Sequence, residues 1–95
     1  MKVYDALAKA LKDHGVDTVF GLIGDANLYM VDAFVRNYDG SFVAVAQESA
    51  AVLGAIGFAV ITGNLGVATV THGPGLTNTV TALVEASKSL SLIHI

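Results

Sequence analysis

Glu48 is the only acid between Asp39 and Glu85, and from Ser49 to Val84 the chain carries no Asp, Glu, Lys or Arg. An isolated carboxylate in apolar sequence has two readings. It can sit in the first turn of a helix, where the macrodipole favours it by about 0.3–1 kcal/mol. It can also be desolvated and poised to share a proton with a ligand. The second chemistry-bearing segment is His72-Gly73-Pro74-Gly75. Pro near a first helical turn suits a plain strand-to-helix turn. Two glycines also let a flat ring approach the backbone. Asn78 lies one turn further on and can add a polar contact, while His72 is either structural or faces a site. The third segment, Gly21-Leu22-Ile23-Gly24, is a glycine-bounded turn. It is neither GxGxxG nor a P-loop, which argues against a nucleoside triphosphate site. No His, Asp and Glu residues have metal-ligand spacing. The absence of Cys excludes a thiolate zinc site, a catalytic thiol and a disulfide scaffold. Ser49 lacks the G-x-S-x-G context of a hydrolase nucleophile.

The intervening sequence supplies elements to carry these groups. Val3, Leu7 and Leu11 recur at helical spacing, and His14-Gly15 closes that helix. Val16 to Phe20 reads as a short strand. A second helix carries Leu28, Val31 and Val35, with Asp25 or Asn27 as its cap, and ends before the turn cluster 37–40. Phe42 to Ala46 is an unbroken apolar run, the pattern of a strand buried on both faces. A third helix from about Ala50 to Ile61 is apolar nearly all round and is expected to be buried all round. Gly54 and Gly57 give it a smooth strip for close approach. Gly66 to Thr71 is another strand, and Thr77 to Ser87 a fourth helix. This α-β-α-β-α-β-α order predicts an α/β fold, a parallel sheet with helices on both faces. Ligands bind such sheets beyond the carboxyl ends of the strands. The three segments singled out above all fall there.

Composition narrows the function further. With 95 residues the chain allows one small domain. Five Lys and Arg against eight Asp and Glu leave no basic patch for nucleic acid. Charged residues make up only 14%, against roughly 25% in an average domain, so apolar faces are expected to be buried against something else. No uninterrupted apolar run reaches the roughly 20 residues of a membrane span, and the charged N-terminus is unlike a signal peptide. A cytoplasmic protein is expected.

Three stretches in order resemble one family: Gly15-Val16-Asp17-Thr18-Val19-Phe20-Gly21, then Glu48 with its Ala-rich helix closing on Thr62-Gly63, then Gly66 through Asn78. The chain resembles the N-terminal pyrimidine-binding domain of thiamine-diphosphate-dependent enzymes, acetolactate synthases and 2-oxo-acid decarboxylases. The likeness runs from residue 3 to about residue 88. It implies a partial doubly wound thiamine-diphosphate-binding fold. It implies that Glu48 is the catalytic glutamate, bonded to the cofactor's aminopyrimidine. It also implies that Gly24, Thr71, Gly73, Pro74 and Asn78 lie on the cofactor side, and that His72 could face the substrate. The implied reaction is decarboxylation or carboligation of a 2-oxo acid. The resemblance further implies thiamine diphosphate, with Mg2+ held by a domain absent from this chain, and a homodimer or homotetramer. FAD occurs in some acetolactate synthases. The family often has His-Glu where this chain has Gln47-Glu48, Pro where it has Ile23, and a basic residue before Thr62-Gly63.

Residues 90–95, Leu-Ser-Leu-Ile-His-Ile, are also the translation of CTG TCT CTT ATA CAC ATC, a transposase end sequence used in DNA library preparation. They are read as adapter read-through after a partial domain at 1–89, with a genuine strand as the alternative, and His94 is given no function. Two other readings of the whole chain are a non-catalytic α/β module that binds a partner subunit and a flavodoxin-like nucleotide binder. The missing phosphate loop weighs against the latter.

Overall fold

The structure is a computed structural model that describes residues 2–88 and the backbone of Ile93 and His94. Its elements are α1 (Val3–Asp13), β1 (Thr18–Gly21), α2 (Leu28–Asn37), β2 (Ser41–Ala44), α3 (Glu48–Thr62), β3 (Gly66–Thr69), α4 (Pro74–Thr77), α5 (Val80–Lys88) and β4 (Ile93–His94). The sheet is parallel, in the order β2-β1-β3-β4. Thr18 to Gly21 pair with Ser41 to Ala44 on one side, and Phe20 and Gly21 pair with Ala68 and Thr69 on the other. Leu90 to Leu92 and Ile95 lie outside the described residues, so the reading of 90–95 as adapter falls largely there.

Alternation along the strands builds two cores. Val19 and Val67 join Ala8, Val16, Ala33 and Phe34 beneath α1 and α2. The next residues in each strand, Phe20 and Ala68, face Ala51, Val52, Ala55, Ala82 and Ala86 of α3 and α5. A period of two sends consecutive side chains to opposite faces, so a four-residue strand serves both layers. The second core is made largely of alanine, which lets α3 lie close to β1 and β3 and α5 close to α3. α3 is well bounded: Gln47 Oε1 accepts from Ser49 N–H at 2.8 Å, and Gly63 closes the helix at φ 72°, its N–H donating to Ala59 O. A left-handed residue is the common helix stop, and glycine takes it without a Cβ penalty.

Several expectations need correction. β2 is not buried on both faces: Ser41, Val43 and Ala44 are exposed, because β2 is the sheet edge with little over it. α3 is not buried all round either. It buries Ala51, Val52 and Ala55 and leaves Leu53, Val60 and Ile61 exposed. Its glycines differ: a Cβ on Gly54 would come 3.0 Å from the Phe20 ring, whereas one on Gly57 would meet nothing within 4 Å. The predicted face of α1 is used in part. Leu11 packs on the core, but Val3 and Leu7 are exposed. Leu7 and Leu11 instead line an open apolar trough of about 540 Å³ with Met30, Leu65 and Val67. The predicted fourth helix, Thr77 to Ser87, is α5, with the short α4 formed in the turn before it, and α3 begins at Glu48 rather than near Ala50. No helix among the described residues is long and apolar enough to cross a membrane.

Candidate functional site

The carboxyl ends of β1, β2 and β3 lead into 21–27, 45–48 and 70–75, the three segments marked in the sequence. Glu48 opens α3 as its first residue, behind the cap made by Gln47. It is half-buried rather than sealed from water, because the exposed edge strand β2 precedes it and the outer face of α3 is uncovered. Its Oε1 accepts a hydrogen bond from Asn78 Nδ2 at 3.3 Å. Ser49 Oγ donates to Asn78 O at 2.6 Å, so the α4–α5 junction is held from both its side chain and its backbone. Among the described residues no hydrogen bond reaches Oε2, which faces Gly75: a Cβ built there would stand 3.8 Å from it.

The turn before α4 is a bare backbone surface. Gly73 has φ +67°, a left-handed conformation suited to glycine, and a Cβ there would meet nothing within 4 Å. Pro74 follows as the first residue of α4. Gly75 is buried against Thr71, whose Cγ2 would lie 2.9 Å from a Cβ at that position. Gly24 approaches Thr71 from the other side: a Cβ there would come within 2.7 Å of Thr71 Oγ1 and Cγ2. The structure therefore brings Gly24, Thr71, Gly75, Glu48 and Asn78 into one contact chain. His72 is exposed, its Nδ1 sharing a 3.2 Å hydrogen bond with Thr71 Oγ1.

Asn27 was visible in the sequence only as a helix cap, and Asp25 was the other choice. Neither caps α2 with its side chain. Asn27 instead turns back, accepting from Gly24 N–H at 2.7 Å and donating to Leu22 O and Thr69 Oγ1, both at 3.2 Å. An Asn beside a glycine turn is a weak hint of this, since its amide can both donate and accept. Among the described residues no group of three or more His, Cys, Asp or Glu could hold a metal ion. The shifted titrating groups lie away from this rim, on the α1 and α2 surface. Lys9 is raised by its hydrogen bond and charge pairing with Asp13. Tyr38 is raised by desolvation and by its bond to Asp5.

Residues 1–95 match the family model described as thiamine pyrophosphate enzyme, N-terminal TPP binding domain. The acetolactate synthase isozyme 2 large subunit of Escherichia coli K12 is 43% identical over 79 residues, covering 81% of this chain and 14% of that protein. The probable acetolactate synthase large subunit of Methanocaldococcus jannaschii is 42% identical over 88 residues, covering 90% and 14%. The solved Rhodococcus jostii RHA1 thiamine diphosphate-dependent 4-hydroxybenzoylformate decarboxylase superposes with a TM-score of 0.87 at 25% identity, over 98% of this chain and 17% of that one. The chain thus spans about one seventh of the length of the curated relatives it matches. A parallel α/β domain with this rim of glycines around one carboxylate, matched over its whole length, belongs to the N-terminal TPP-binding domain family of thiamine pyrophosphate enzymes.

Proposed function

We propose that the complete protein is a thiamine-diphosphate-dependent, acetolactate-synthase-like enzyme acting on 2-oxo acids, by decarboxylation or carboligation, with Glu48 as its catalytic carboxylate. The observation that carries this is the asymmetry of Glu48: Oε1 is held by Asn78, and Oε2 is open toward the backbone of Gly75. On that open side a basic ring nitrogen would meet the carboxylate beside the bare backbone of Gly73, while Gly75 is held without a Cβ by its contact with Thr71. When bound, thiamine diphosphate supplies a carbon nucleophile and an electron sink for the 2-oxo acid. The residues of this chain do the rest. Glu48 Oε2 holds a proton on the aminopyrimidine ring nitrogen. Asn78 fixes the carboxylate rotamer, and Gly73 and Pro74 give the ring a surface. Gln47, where the family often has His, is occupied as the helix cap of α3.

The same reading assigns Mg2+ and the diphosphate to residues outside this chain, and the complete enzyme to the cytoplasm. Its partner is a second copy of itself. Leu53, Val60 and Ile61 on α3, with Leu76, Val80 and Val84 on α4 and α5, are exposed apolar residues on the layer that carries Glu48. Residues 1–89 are proposed as domain sequence and 90–95 as adapter read-through, which the nucleotide sequence across codons 85–95 tests directly.

Glu48→Gln in the complete enzyme is the decisive variant. Gln keeps an oxygen for Asn78 and the same shape, but it cannot share a proton. Turnover is expected to fall by roughly 10²–10⁴, with the melting temperature and the cofactor dissociation constant near wild type. Wild-type turnover in this variant sinks the assignment.

A further inference from the structure

The loop between β1 and α2 is fastened to the end of β3 at two points. The first is Asn27. It occupies the N-cap position of α2 yet makes no side-chain cap bond. It is 5% exposed, and its three side-chain hydrogen bonds join Gly24 N–H, Leu22 O and Thr69 Oγ1. The second is Thr71, two residues on, whose Oγ1 accepts from Ala26 N–H at 3.1 Å. Thr71 also stands between the two glycines of the rim. Its Cγ2 lies 2.7 Å from where a Cβ on Gly24 would be and 2.9 Å from one on Gly75. Gly75 in turn faces Glu48 Oε2.

We propose that Asn27 and Thr71 form a clasp of positioning residues. The clasp sets how far the 21–27 loop and the Gly73-Pro74-Gly75 turn stand from Glu48, and through that spacing it sets the affinity for the aminopyrimidine of thiamine diphosphate. This rests on the thiamine-diphosphate reading above. Asn27 is buried and spent on the loop, and Thr71 Oγ1 already bonds Ala26 N–H and His72 Nδ1, so both act on the site through the loop they hold. The two points differ in what their loss does. Asn27 is buried, and removing it strands buried polar groups, which costs stability. Ala26 is exposed, so water can take over its N–H when the Thr71 hydroxyl is removed. Thr71→Val therefore keeps the shape and most of the stability while releasing the tether.

The test uses the complete enzyme. It measures the thiamine diphosphate dissociation constant by equilibrium dialysis, the melting temperature without cofactor, and kcat and KM. Thr71→Val is expected to raise the dissociation constant roughly tenfold with a nearly unchanged melting temperature, and Thr71→Ser, which restores the hydroxyl, to recover wild-type affinity. Asn27→Asp keeps the acceptor for Gly24 N–H but loses the amide donor to Leu22 O and Thr69 Oγ1, and is expected to bind the cofactor more weakly than wild type. A wild-type dissociation constant in Thr71→Val, or a loss that Thr71→Ser does not recover, overturns the clasp. Failure of the underlying reading looks different: the unmodified complete protein then shows no saturable binding of thiamine diphosphate, which overturns both.

Discussion

At the scale of single residues, the neighbours of a carboxylate decide what it can do. Glu48 at a helix start could have been only a dipole-compensating charge. The bond from Asn78 and the open side toward Gly75 put its two oxygens in different surroundings. A second residue-scale feature lies far from the site. Tyr38 OH donates to Asp5 Oδ2 at 3.0 Å and ties the end of α2 to α1. Desolvation and the bond to Asp5 raise the phenol above its ordinary value of 10.0. A group whose folded pKa is raised adds stability below its unfolded pKa and loses it as pH rises through the folded one. The contribution of Tyr38 is thus expected to be present at neutral pH and lost above about pH 10. The phenolate absorbance difference between wild type and Tyr38→Phe checks this, and a midpoint at or below 10 refutes it. Glu48, Asn78 and the Gly-Pro-Gly turn were readable from type and spacing. The clasp was not, because Asn27 and Thr71 are 44 positions apart by their sequence numbers and nothing local to either residue names the other as its neighbour.

At the scale of elements, hydrophobicity and burial part company. The composition of α3 is apolar on every side, and that pattern predicts burial on every side. One side packs on the sheet through Ala51, Val52 and Ala55; the other ends with Val60 at 73% and Ile61 at 86% exposed. β2 behaves alike: it reads as a strand buried on both faces and stands at an exposed edge. A sequence records that a surface is meant to be covered, but not by what. If a second copy covers α3, a charge there is harmless to the protomer and harmful to the assembly. Val60→Glu with Ile61→Glu in the complete enzyme is expected to shift the sedimentation profile toward the protomer and to lower turnover with it. An unchanged oligomer removes the second copy from this face.

At the scale of the whole molecule, the same surfaces bear on how residues 1–89 behave when expressed alone. The exposed edge of β2, the apolar stripe on α3 and the trough beside Leu7 and Leu11 leave much unpaired backbone and apolar area in water. Exposed edges and large apolar patches promote association. The 1–89 polypeptide is expected to be marginally stable and to associate as its concentration rises. A sharp, concentration-independent thermal transition of a monomer, followed by calorimetry and light scattering, contradicts this. The sequence by itself determined the element types, the parallel α/β class and the three strand-end segments. These follow from local periodicity, glycine and proline chemistry, and the handedness of crossovers. Only the tertiary structure decided which strand is the edge, which side of α3 is covered, which Glu48 oxygen is held and what Asn27 holds. Those are properties of contacts between segments distant in the chain, and no local pattern encodes a partner that folding alone brings near.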